Sequence, residues 1–183
     1  MSHDWLPELL EPLEFENTQN DYLKRAFEAY KQSFPQNKLS NGDYKVIFRR
    51  YQDQHGWPAT FWHLISEGKP ENLRKISPER IKRIQWVAAV ILEFLNVYPK
   101  PSTNRILWWM TSFHKNTRVL IATEDYKYLV VLEVRRDYFL LCTAYPTWES
   151  NVPKLQRQYA NYWAEKAEAA LRRLRNSSEL TGE

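Results

Sequence analysis

The sequence predicts an α+β domain: N-terminal helices, then a four-stranded antiparallel meander, then a C-terminal helix. Three observations lead there. The runs RILWWMTS, TRVLIATE, KYLVVLEV and DYFLLCTAY follow one another with only short HKN, DY and RR turns between them. Connectors that short join antiparallel neighbours. Helical periodicity dominates before these runs, and PKLQRQYANYWAEKAEAALRRLRN is strongly helical after them.

Each element has its own signal. Residues 1–16 (MSHDWLPELLEPLEFE) are acidic and hold two prolines, so an irregular arm is expected before a single domain over 17–165. TQNDYLKRAFEAYKQSF sets Tyr22, Ala26, Ala29 and Tyr30 on one helical face, with a stop near Phe34–Pro35. PQNKLSNGD is turn chemistry, and YKVIFRRYQ alternates as a strand does. PATFWHLISEG suits either a strand or a short helix. Ser77-Pro78-Glu79-Arg80 predicts a helix start with Ser77 as N-cap, and the helix should run to about Asn96. VYPKPSTN then breaks it. Leu155, Tyr159, Tyr162 and Trp163 would dock the last helix, whose end over 166–183, with the tail NSSELTGE, should fray.

Composition narrows the function. Hydrophobic residues form 43% of the 183 and aromatics 15%, enough apolar surface for a core. With four glycines and neither GxGxxG nor GxxxxGK[ST], a Gly-rich phosphate loop is excluded. The single Cys142 rules out an intrachain disulfide framework and a thiolate zinc site, and in YFLLCTAY it reads as a buried small hydrophobe. No signal sequence opens the chain and no apolar run has the roughly 18 residues of a membrane span; a cytoplasmic protein without membrane contact is expected. His3, His55, His63 and His114 stand at no metal-ligand spacing, and GxSxG is absent, so no metal or cofactor and no acyl-transfer triad is expected.

What remains is a set of His, Arg, Lys and Thr on a mildly basic chain of net charge +4. Lys69 to Arg83 holds six cations against Glu71 and Glu79, either a solvated helix face or a polyanion contact. Such a set suits metal-free RNA cleavage. A 2′-hydroxyl must lose a proton, a 5′-oxygen must gain one, and the phosphorane needs cationic donors. His63 sits among Phe61, Trp62, Leu64 and Ile65; it is either a hydrogen-bonded core histidine or a titrating group held for chemistry. Trp108 and Trp109, adjacent in one run, offer a base-stacking platform only if one of them is left uncovered.

In order along the chain stand FWHLISEGK, the basic segment ending in RIKRIQW, DYKYLVVLEVRRDYFLLCTAYP and KLQRQY. Over roughly residues 43 to 162 this series resembles the phage- and prophage-associated nucleases of the barnase/EndoU/colicin/RelE superfamily. The resemblance implies a small α+β domain with helices before a four-stranded antiparallel sheet, acting as a metal-independent, toxin-like ribonuclease. It implies RNA, transfer RNA included, as substrate and a neutralising protein as a further partner. It makes His63 the general acid or base. Arg80 and Arg83, in R-x-x-R-I-x-W, become phosphate-binding, and Thr143 of TAYP the hydroxyl near the scissile phosphate. Lys69, His114 and Lys115 are further phosphate-binding candidates. The spacer KPENLRKISPE and the Thr147 that follows TAYP depart from the pattern. The alternative is an inactive relative that binds RNA or protein.

Overall fold

The computed structural model describes residues 3–14, 18–35, 38–49, 55–101 and 103–179. Helix α1 (Gln19–Ser33) begins at Thr18, whose Oγ1 accepts the Asp21 amide at 3.2 Å. The expected face is buried: Tyr22, Ala26, Ala29 and Tyr30, with Leu23 beside them. PQNKLSNGD is more than a turn. Lys38–Asn41 forms β1, and only Gly42 and Asp43 turn the chain into β2 (Tyr44–Ile47). Gly42 has φ 56°, the left-handed backbone that favours glycine at this hairpin position.

PATFWHLISEG is a helix and then a strand. Helix α2 (Ala59–Ile65) buries Phe61, Trp62, Leu64 and Ile65 and leaves His63 half-buried on its remaining side. It passes into β3 (Ser66–Glu67), which pairs with β4 (Lys75–Ile76) in a small second sheet.

The helix expected from Ser77 to Asn96 is two helices. Helix α3 (Pro78–Ile81) is a single turn and α4 spans Trp86–Val97. Between them the amides of Arg83, Ile84 and Trp86 bond three residues back, to Arg80, Ile81 and Arg83. This tighter winding breaks the α-helical register and lets Ile81, Ile84, Val87 and Ile91 all reach the core. Ser77 begins α3 through its carbonyl, which accepts from Arg80 and Ile81, and its hydroxyl makes no capping bond.

The meander is present as β5 (Ile106–Phe113), β6 (Asn116–Thr123), β7 (Tyr128–Val134) and β8 (Phe139–Pro146). It is part of a larger sheet. β2 joins β8 in parallel, so the order is β1-β2-β8-β7-β6-β5, six strands and mixed. Helix α5 (Val152–Glu179) closes the chain. Its backbone is helical through Glu179, and the rest of NSSELTGE, 180–183, lies outside the described residues.

Alternation along the strands divides the core in two. One face carries Trp108, Val119, Ile121, Val130 and Leu132 under α1, α2 and α4. The other carries Trp109, Ala122, Leu129 and Val131 under Leu155 and Tyr159 of α5. Both tryptophans are therefore covered, and neither is a stacking platform. The Trp108 indole donates to Lys100 O at 2.9 Å, and Trp163 Nε1 donates to Trp108 O at 2.9 Å. The arm is tied down as well. Leu10 N donates to Lys82 O, Trp86 Nε1 donates to Pro7 O at 2.7 Å, and Leu6 is buried.

Fully buried Trp109 is the anchor of the α5 side, so Trp109→Ala is expected to lower the unfolding free energy by about 3–5 kcal/mol. Chemical denaturation followed by far-UV circular dichroism checks this. A change under about 1 kcal/mol would mean α5 is not bound to the sheet as described.

Candidate functional site

Helix α5 covers only part of its sheet face. On the open remainder, Arg118 of β6 and Glu133 of β7 are register partners. Both line a cavity of about 590 Å³ together with Phe113, Cys142 and Thr143. The opposite wall is α2 with its following loop and α3: Thr60, His63, Glu67, Gly68, Lys69, Arg74 and Arg80, with Arg49 beyond β2. Five cationic side chains thus face two carboxylates, and the cavity is electropositive.

Adjacent residues of a regular strand point to opposite faces, yet Cys142 and Thr143 line the same space. The pairing β7–β8 shifts register between Val131 and Leu132, opposite Thr143 and Leu141, which leaves Cys142 as the extra residue of a bulge. Bulges re-aim side chains in this way. Cys142 is accordingly half-buried and cavity-lining rather than a plain core residue. Burial pushes its thiol above the usual cysteine range.

The wall is organised around one carbonyl. His63 O, at the C-terminal end of α2, accepts from Arg74 Nη2 at 3.3 Å, Arg80 Nη1 at 3.3 Å and Thr143 Oγ1 at 3.2 Å. Ser66 O accepts from Arg80 Nη1 at 2.8 Å and also from Arg74 Nη2. Arg74 Nε donates to Ser66 Oγ at 2.9 Å. Cations belong at a helix C-terminus, where carbonyls lack intrahelical partners and the dipole is negative. Arg80 is mostly buried, forms an ion pair with Glu67 at 3.4 Å and lies over the Tyr145 ring at 5.2 Å. Burial lowers its pKa and Glu67 opposes that shift, and a guanidinium remains charged throughout the accessible pH range.

Of the residues expected to act together, His63, Arg80, Thr143 and Lys69 do line one cavity. Arg83 does not. Because the helix tightens after Ile81, Arg83 turns toward Glu79 (2.7 Å) and lies over the Trp86 ring at 5.2 Å. His114 and Lys115 form the β5–β6 turn outside the cavity, with His114 at φ 53° and edge-on to Phe113. Their neighbours Phe113 and Arg118 line it instead. Arg49, Arg74, Arg118, Glu133 and Cys142 were not among the expected site residues. Glu133 carried a local signal: in KYLVVLEV it is a carboxylate inside an apolar run, and it is 5% exposed and paired with Arg135. Such a buried charge marks either a structural pair or a site.

Among the described residues, no three His, Cys, Asp or Glu side chains come together as metal ligands. Nor, among the described residues, is any helix long and apolar enough to cross a membrane.

The two helical arginines should behave differently. Arg80→Ala removes donors from two carbonyls at the end of α2 and is expected to cost about 1–3 kcal/mol. Arg83→Ala removes a surface pair and should cost less than about 1 kcal/mol. Urea midpoints of the two variants test this, and equal midpoints would contradict the clasp at His63. No protein-family model matches the chain, and neither a curated protein nor a solved structure matches it, so the site is read from its own chemistry.

Proposed function

We propose that the cavity binds an RNA phosphodiester and cleaves it by metal-independent transesterification, in the manner of the nucleases the sequence resembles. The observation that supports this most is the convergence of His63 with five cations in one cavity. In the step, the 2′-hydroxyl gives up its proton and its oxygen bonds to phosphorus. The P–O5′ bond breaks and O5′ takes a proton, leaving a 2′,3′-cyclic phosphate and a 5′-hydroxyl. His63 serves one proton transfer, its ring changing charge between about pH 5 and 8 when unperturbed. Glu133, the buried carboxylate on the cavity floor, serves the other.

The hydrogen-bond geometry divides the remaining roles. A threonine hydroxyl has one hydrogen, and that of Thr143 is directed to His63 O. Thr143 therefore positions His63, and Arg74 and Arg80 assist it by holding the end of α2. Charge stabilisation of the phosphorane falls to Arg118, Arg49 and the exposed Lys69. The same observation favours one second reading. With Arg74 and Arg80 engaged on backbone carbonyls, the cavity also suits a module that binds RNA without cleaving it. Toxicity and a neutralising protein partner belong to the first reading only.

Incubating the protein with mixed RNA in excess chelator from pH 5 to 8 tests the proposal. Cyclic-phosphate ends should form, and His63→Ala should slow their formation by roughly 100-fold or more with little change in melting temperature. RNA left intact at every pH, while still bound, would favour the non-catalytic module.

A further inference from the structure

Phe113 ends β5 on the open half of the sheet face and is one of the large apolar side chains left exposed, at 40%. It makes no part of either core, yet it lines the same cavity as His63. The Arg118 guanidinium lies 3.5 Å from its ring centroid, so two flat π surfaces are stacked at the cavity's edge. The His114 ring packs against Phe113 as well, with centroids 4.4 Å apart and planes inclined at 74°. An exposed aromatic and a stacked guanidinium beside a cationic cavity are the parts that hold an unpaired base.

The size of the cavity limits what can reach them. About 590 Å³ lies within the roughly 300–1,000 Å³ of small-ligand sites, so it takes a few groups of one strand. In an A-form duplex the bases are stacked inside and only grooves and backbone are offered.

Resting on the RNA reading above, we propose that Phe113 and Arg118 form a base-stacking subsite beside the His63 phosphate site, and that the substrate is therefore single-stranded or looped-out RNA. Binding of a fluorescein-labelled, all-2′-O-methyl RNA octamer, which lacks the attacking hydroxyl, is measured by fluorescence anisotropy at fixed salt. The comparison is the same strand annealed to its complement. The single strand should bind on the order of ten-fold tighter than the duplex. Phe113→Ala should lose on the order of ten-fold in single-strand affinity and Phe113→Trp should retain it. Equal binding of strand and duplex, or wild-type affinity in Phe113→Ala, overturns the subsite while leaving the RNA reading intact. Binding of neither form overturns both.

Discussion

The carbonyl of His63 is the point on which the cavity side of the molecule depends. Three donors from separate parts of the chain meet there: Arg74 just before β4, Arg80 in α3 and Thr143 in β8. A carbonyl ending a helix needs outside donors, and a guanidinium placed there must find acceptors as it is buried. The two requirements satisfy each other. A seven-residue helix is too short to be stable alone, so α2 is held by its apolar sides and by this clasp. The same contacts fix where the main chain of His63 stands relative to the sheet.

The sheet contributes the floor because it is covered unevenly. On the face with Trp109, α5 packs over the end that carries Ala122, Leu129 and Val131. Where it no longer covers the strands, the side chains on that face change from apolar to Arg118, Glu133 and Cys142. The register pair Arg118–Glu133 sets opposite charges on adjacent strands, which is favourable across a ladder. The bulge at Cys142 then brings Thr143 within reach of α2. A regular β8 would give one of these two side chains to the other face, and the link between sheet and helix would be lost.

How much of this the sequence discloses follows from the range of each interaction. Meander, first helix and last helix are local patterns, and all three are found where periodicity sets them. His63, Arg80 and Thr143 stand in distinct sequence blocks and do meet. Arg83 leaves the side of the chain that Arg80 occupies, because three short-range hydrogen bonds after Ile81 undo the α-helical spacing expected from Ser77 to Asn96. Arg49 reaches the cavity only because β2 joins β8 in parallel, a pairing across most of the chain that no local pattern announces. Arg118 and Phe113 are inconspicuous for the opposite reason. The turn HKN is conspicuous in the sequence, but its neighbours are the residues that face inward.

The chemistry of the cavity depends less on its net charge than on which donors remain available. Counting cations alone would make Arg74 and Arg80 the obvious phosphate ligands. Both instead direct hydrogen bonds at the carbonyls of His63 and Ser66. Their charge still contributes to the potential inside the cavity, since a field is not used up by a hydrogen bond. Directional recognition, however, requires donors that a ligand can meet without unmaking the fold. Arg118 differs from Arg74 and Arg80 in lying over the Phe113 ring on the open sheet face rather than on the end of α2. The arginines near α2 therefore hold the end of that helix and add to the potential, while Arg118 stands across the cavity on the open sheet face.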